Sequence, residues 1–381
     1  MTVLPGVGEC PKRMVYGPCG GVQPDGACEA SPDPCVFLPL PTVRWTGVID
    51  GRDSPMDAAA PGTPADTVTA TGAARTTPRA APPTAAGTDA AASTPTPADR
   101  MRTLLARGRV VVADFAATAL DSGSIRDTAA VLRGSVHAVL AGDSPRNRVQ
   151  FSPSYRAALI RDAGLEPWAG LTCRDRNRVA LEAELAGLLD VGVAGVHCVT
   201  GDHTALGSRA DAQPVFDLDS TRLAALAADA GHLVSVAESP ASVPVDRRAD
   251  RLAEKARAGA EVCFVNHCGG AGAVAAFIAR VGGLSARPLR YIPCVPVVVD
   301  TGSAELLRSF TSLVLPDGYL DRILSATNPR AEGIAAAVEL SEQLLAIDGV
   351  AGVNLSGGAA LGRDREFAEA MAEIGTRLGV V

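Results

Sequence analysis

Short apolar runs recur along residues 101–381, and segments with helical periodicity separate them. The runs at 110–115, 138–141, 168–172, 193–200, 233–237, 262–266, 291–298 and 352–355 stop abruptly at polar or small residues, so each reads as a strand. Segments at 124–132, 154–163, 178–189, 221–230, 247–258, 271–281, 304–309 and 330–347 repeat apolar positions at the helical spacing and read as helices. Eight strands alternating with helices over about 280 residues predict an α/β fold, a (β/α)8 TIM barrel. A doubly wound open sheet is the competing architecture, but no G-x-G-x-x-G follows the first strand.

The unit spanning 168–204 carries the clearest chemical information. A parallel strand–helix–strand unit places both strand C-termini on one edge, so Arg174, Asp175, Arg176 and Asn177 should share that edge with Asp202, His203 and Thr204. In such folds this edge is where binding and catalytic groups gather. Arg174, Arg176 and Arg178 are expected to pair with carboxylates such as Asp175, Glu182 and Asp219 and brace the barrel rim. Residues two apart on a helix diverge, which argues against a joint anion clamp.

The pattern breaks down before residue 101, dividing the chain into three parts. Residues 51–100 are Ala, Pro, Thr, Gly and Asp with almost no large apolar side chain, which predicts a disordered linker. Residues 1–50 carry Cys10, Cys19, Cys28 and Cys35 in a segment too short to build a large core. Four thiolates suit zinc or an iron–sulfur cluster, and Gly17, Gly20, Gly21 and Gly26 would permit the tight turns that gather them. The spacing of eight, eight and six intervening residues is not the paired C-x2-C of common zinc knuckles, so unliganded structural thiols are the competing reading.

Composition narrows the function classes. A net charge of −7 gives no electrostatic reason to expect nucleic acid. No apolar run is long enough to span a membrane, and the first residues lack a secretion signal, so a cytoplasmic location is expected. In a reducing compartment the nine cysteines are expected as thiols or metal ligands rather than disulfides. Of 35 basic Lys and Arg residues, only Lys12 and Lys255 are lysines, which makes a lysine inside a motif noticeable.

Several motifs occur together in an order that resembles the methylenetetrahydrofolate reductase family: LTCRDRNR, VTGD, QPVFDLDS, RLAEKARAGAEVCFVN and GVAGVNLSG. The N-terminal CPKRMVYGPCGGV, with DGACE and PCVF, is similar to the small cysteine-bearing module called that family's C-terminal domain, here placed before the barrel. The resemblance implies a reductase-like oxidoreductase of one-carbon metabolism acting on 5,10-methylene- and 5-methyl-tetrahydrofolate, with FAD and NAD(P)H as cofactors. It implies Asp114 as the acid that opens the methylene bridge, in place of a glutamate one methylene longer. Asp202 corresponds to the family aspartate beside flavin and pterin, with Gly201 allowing close approach of a planar ligand. Asn266 takes the place of the pterin-contacting glutamine. Lys255 corresponds to the lysine that meets the flavin phosphates, and Thr172 lies in the cofactor-facing LTC element. Other family positions change: the histidine before LTC is Gly170, and the threonine of the second strand falls near Leu140.

His267 and Cys268 stand where the family has other residues, at a strand exit followed by two glycines. They suggest a second reading, a folate-dependent one-carbon transfer or hydrolytic enzyme without flavin. A third is non-catalytic, with the chain as a binding or electron-transfer component. The expected partners are a small folate and a second copy of the chain or a redox subunit, with no nucleic acid and no membrane.

Overall fold

A computed structural model describes residues 10–47, 49, 94–143, 147–285, 287–310, 312–360 and 362–380. Eight parallel strands, β1 (Val110–Asp114), β2 (Ala138–Ala141), β3 (Pro167–Thr172), β4 (Gly195–Val199), β5 (Val234–Glu238), β6 (Val262–Val265), β7 (Arg290–Pro296) and β8 (Gly352–Ser356), hydrogen-bond in sequence order into a closed barrel. β1 closes on β8 through the register Val112↔Asn354 and Ala113↔Leu355, which excludes the open sheet. Helices α2 (Ser122–Leu132), α3 (Pro153–Asp162), α4 (Arg178–Val191), α5 (Ser220–Asp229), α6 (Arg248–Arg257) and α7 (Ala271–Gly282) each connect successive strands. Three helices, α8 (Thr301–Arg308), α9 (Tyr319–Leu324) and α10 (Pro329–Leu345), lie between β7 and β8, and α11 (Asp364–Arg377) follows the last strand.

The barrel body begins earlier than composition suggests. Helix α1 (Pro97–Arg107) starts four residues inside the segment expected as linker; the rest of that segment lies almost wholly outside the described residues. Its start is fixed by a capping box, in which the Thr96 hydroxyl accepts the Asp99 N–H and the Asp99 carboxylate reaches back to the Thr96 backbone. Met101 and Leu105 on one face of α1 pack with Val110, Val112, Ala138, Leu233, Val262 and Ile292. α1 therefore plugs the N-terminal end of the barrel, which leaves the other end for chemistry.

Above that plug the barrel interior is filled by Trp168 and Phe264, whose rings meet edge to face at 5.2 Å. The buried indole N–H needs an acceptor and finds the Ser235 hydroxyl at 2.9 Å, which also pairs with His197 Nδ1 at 3.0 Å. Burial pushes the His197 pKa down to about 3, so its ring is neutral. Gly195 is required here, because a Cβ would fall 2.7 Å from the Trp168 ring.

Trp168→Ala should lower the unfolding free energy by about 3–5 kcal/mol, measured by urea denaturation of the full chain, because it empties the site of a fully buried indole.

Candidate functional site

The strand C-termini surround a cavity of about 1230 Å³. Its wall contains Asp114, Thr172, Gly201, Asp202, Lys255, Asn266 and His267, so the sequence-predicted residues converge apart from Cys268 and three of the four N-terminal cysteines. The expected strand edge is present: Arg174 lies just beyond β3 and Asp202 just beyond β4. Arg174 pairs with Asp143 at 3.0 Å and with Asp175 at 2.6 Å, and Arg178 with Glu182 at 2.7 Å, so these arginines brace the rim. Asp219 instead caps α5 and accepts the Val15 N–H from the N-terminal module at 3.2 Å.

The module forms one wall of the cavity through Lys12, Met14, Cys19, Gly20, Gly21 and Glu29. Its backbone carbonyls are read by three arginines at the start of α6. Arg247 donates to Phe37 O at 3.0 Å and also to the Leu38 and Leu40 carbonyls. Arg248 donates to Cys19 O at 3.0 Å and Pro18 O at 3.4 Å, and Arg251 donates to Tyr16 O. In return, Glu29 of the module accepts the His203 N–H at 2.7 Å and pairs with Lys12, and Glu254 accepts the Trp45 N–H at 2.6 Å. At Gly21 a Cβ would overlap the Glu29 carboxylate, so a side chain there would displace Glu29 from Lys12 and the His203 N–H.

Three of the cysteines expected as metal ligands sit beside a small apolar cluster. Met14, Phe37 and Leu40 form a small apolar cluster against which Cys10, Cys19 and Cys35 pack. Burial, against the pull of backbone hydrogen bonds and with the help of the neighbouring cysteines, pushes the Cys10 thiol up and the Cys35 thiol up to about 11. Among the described residues no three His, Cys, Asp or Glu side chains converge tightly enough to ligate a metal. The arrangement therefore does not present a formed zinc or iron–sulfur ligand set. Docking on the arginines, together with the small cluster, gives the module the support that a short chain cannot supply alone.

Lys255 also departs from its expected role. Its ammonium is buried and donates to Glu238 Oε2 at 2.8 Å and Ala237 O at 2.6 Å. Glu238, at the end of β5 and only 3% exposed in its side chain, also faces Arg248 at 3.5 Å. Although burial opposes ionisation, the Lys255 and Arg248 charges hold the Glu238 carboxyl below its usual value. Lys255 is thus the counter-ion of a buried carboxylate rather than a free cation for phosphates. Gly201 takes φ +88 and approaches Thr172 Oγ1 and Arg174, where a Cβ would fall 2.1 Å from Oγ1, so its freedom serves the loop packing. At Gly170 a Cβ would meet Gly142 Cα at 2.7 Å, so β2 and β3 leave no room for a side chain there.

Five polar groups on successive strand ends form a chain across the cavity floor. Asn266 Nδ2 donates to Ser239 Oγ at 2.7 Å, and Cys294 Sγ approaches Asn266 Oδ1 at 4.0 Å. Asn354 Nδ2 lies 3.7 Å from Cys294 Sγ and donates to Asp114 Oδ1 at 2.8 Å. The Ser356 hydroxyl at 2.8 Å and the Gly357 N–H at 3.1 Å bind Asp114 Oδ2. Burial raises the Asp114 pKa, and these three donors limit the rise. Asp202 sits on the rim with its side chain 58% exposed, and Arg148 approaches it at 3.4 Å.

Burial pushes His267 down to about 4, leaving its ring neutral, and Cys268 up to about 11, leaving it a thiol. Cys268 packs against both large apolar clusters and is not among the residues that line this cavity. Nothing in the sequence reading singles out Glu238, Asn354 or Ser356. Strand alternation was the available signal for the last two, since Val353 and Leu355 face the helices while Asn354 and Ser356 face inward.

The N-terminal segment matches a known family. Residues 2–41 fit the family described as methylene-tetrahydrofolate reductase C terminal. No curated protein matches the chain. Among solved structures, a Clostridium thermocellum protein described as binding two copies of 5-methyl-5,6,7,8-tetrahydrofolic acid superposes with a TM-score of 0.52 at 11% identity, covering 72% of this chain and 99% of its own. A lyase/mutase-like protein from Burkholderia cenocepacia gives 0.42 at 16% identity, covering 74% and 86%. A 2,3-dimethylmalate lyase gives 0.43 at 11%, covering 68% and 80%. At these identities the likeness is one of fold. Among the described residues, no helix is long and apolar enough to cross a membrane.

Glu238→Gln should cost about 3–5 kcal/mol in urea denaturation near pH 7, because it leaves Lys255 and Arg248 buried without their anion. The carboxyl is more acidic folded than unfolded, so its stabilisation is present above the unfolded value of about 4.3 and is lost as pH falls through the lower folded value. The gap between wild type and variant should therefore close on acidification below pH ~4.

Proposed function

We propose that the protein binds 5,10-methylene- or 5-methyl-tetrahydrofolate in the mouth cavity and acts on its one-carbon unit as an oxidoreductase of the methylenetetrahydrofolate reductase type. The observation that carries this reading is Asp114, a carboxyl of raised pKa at the floor of a cavity roofed by the module whose sequence matches that family. The methyl-tetrahydrofolate ligand of the Clostridium thermocellum barrel supports the same substrate class.

Asp114 gives its proton to N10 of the methylene bridge; the C–N10 bond breaks, its electron pair staying on nitrogen, and an iminium remains on N5. A buried carboxyl with a raised pKa suits this step, since an acid must hold its proton near working pH to donate it. Asn266, at the same floor, offers an amide to the pterin, while Asp202 and Arg148 provide paired charges at the rim. A flavin held by Lys255 does not fit: that ammonium is occupied by Glu238 and Ala237, and Arg248 and Arg251 are occupied by the module. No step is therefore assigned to FAD or to NAD(P)H.

The same lysine pairing favours a second reading, one-carbon transfer on folate without flavin. The bridge-opening step at Asp114 is common to both, and the absorption spectrum of the purified protein separates them. A flavin band supports the reductase, and its absence together with folate turnover supports transfer.

Isothermal titration with 5-methyl-tetrahydrofolate should show binding, and Asp114→Asn should lower turnover of folate by about 10²–10⁴-fold, measured as anaerobic oxidation of the methyl compound by an artificial acceptor. Microscopic reversibility makes Asp114 the base in that direction, whereas in bridge opening the rate should fall as pH rises through its raised pKa. Turnover undiminished in Asp114→Asn would remove the acid assignment, and absence of binding would remove the folate reading.

A further inference from the structure

The Asp114 carboxyl is held from one direction only. All three of its donors belong to β8 and the residue after it: Asn354 on Oδ1, and Ser356 and Gly357 on Oδ2. Each carboxylate oxygen has two lone-pair positions. Both on Oδ2 are taken, so the acidic proton is left with the remaining position on Oδ1, the oxygen that Asn354 grips. The titratable neighbour is the Cys294 thiol on β7, which burial holds protonated with its pKa pushed up to about 12, and β2 presents Leu140 opposite Asp114.

Asn354 itself is left incomplete. It is 1% exposed and lines the cavity, its Nδ2 is occupied by Asp114 and Cys294, and its Oδ1 has no partner. Turning the amide over would set its oxygen against the Asp114 carboxylate, so the orientation with Oδ1 free is the one the acid imposes. A second acceptor is orphaned beside it. His267 is buried in the same wall, its ring is paired through the Cys294 backbone, and its Nε2 has no partner. Native proteins leave few buried polar atoms unpaired, and two in one cavity wall flanking Cys294 mark a place where a ligand supplies the missing donors.

We propose that Asn354 works on two sides: its amide nitrogen positions Asp114 for proton transfer, and its amide oxygen, with His267 Nε2, receives N–H donors from the edge of the ligand ring. The ligand half rests on the folate reading above. With His267 neutral, Asn354 Oδ1 and His267 Nε2 make a pair of open acceptors in the floor, which selects a ring edge bearing adjacent N–H groups. A 2-amino-4-oxo-pyrimidine presents such an edge in its exocyclic amine and ring N3–H. The floor then discriminates against rings that lack the amine, because a buried acceptor without its donor is penalised more than a surface one.

The test has two arms. In the ligand-free full chain, ¹³C-carboxyl labelling of aspartate gives an Asp114 resonance, assigned by its loss in Asp114→Asn. Asn354→Leu should raise its titration midpoint by about one pH unit, because a donor to the charged form is gone. Asn354→Ser, too short to reach Asp114, should do the same if the leucine variant fails to fold. An unchanged midpoint overturns the positioning half. In the second arm, calorimetry compares 5-methyl-tetrahydrofolate with its 2-desamino analogue. The wild type should prefer the parent by at least about tenfold, and the Asn354 variant should lose that preference. An equal preference in the variant overturns the ligand half. Failure of the wild type to bind either compound overturns the ligand half together with the folate reading, while the Asp114 midpoint still decides the positioning half.

Discussion

A carboxylate at the end of β5, Glu238, lets several cations remain buried beneath the N-terminal module. Lys255 and Arg248 both meet it, and Arg251 feels its charge. Without that anion the desolvation of so many cations would not be offset, because a buried charge needs a close counter-charge or several good acceptors. With it, Arg248 and Arg251 keep N–H groups to spare, and those groups hold the module by its backbone carbonyls. The roof of the cavity thus depends on an ion pair in its wall. This also explains why the lysine that resembles a phosphate anchor is unavailable as one.

Recognition through carbonyls has a further effect on sequence. The module is gripped largely by its main chain, at Tyr16, Pro18, Cys19, Phe37, Leu38 and Leu40, so many of its side chains are free of the docking requirement. The exceptions are glycines where the packing is closest. Gly17 sits against the Arg251 side chain and Gly21 against Glu29. These two steric constraints and the Lys12–Glu29 pair fix how the module meets the rim after β4, where Glu29 receives the His203 N–H.

The barrel was legible because strands buried on both faces give unbroken apolar runs whose ends are marked by polar residues. The expected strands 138–141 and 352–355 agree with Ala138–Ala141 and Gly352–Ser356 to within one residue. The helices α1, α9 and α11 were less legible for local reasons. α1 begins inside an Ala- and Pro-rich segment, and its capping box uses Asp99 where the usual signature has Glu or Gln. α9 is six residues long, too short for a periodic signal. α11 does carry one, with Phe367, Met371 and Ile374 on its buried face, but no strand follows to frame it. In the site, residue types that resemble a family's machinery pointed to side chains that line one cavity. What they could not convey was occupancy: whether the charge of Lys255 or the amide of Asn266 is already satisfied depends on Glu238 and Ser239, supplied by another strand end.

Asp114 and Asn354 are 240 positions apart in sequence and neighbours in space. During synthesis the first strand emerges long before the last, so for most of that interval the carboxyl lacks the groups that orient it. The carboxyl is oriented only when the ring of strands closes, so the β1–β8 seam is a mechanical joint that also sets the proposed acid. A chain ending between β7 and β8 would carry Asp114, Asp202, Lys255 and Asn266, yet its Asp114 carboxyl would lack every donor that orients it. The ordering of this carboxyl is a property of closure, acquired all at once when the last strand joins the first.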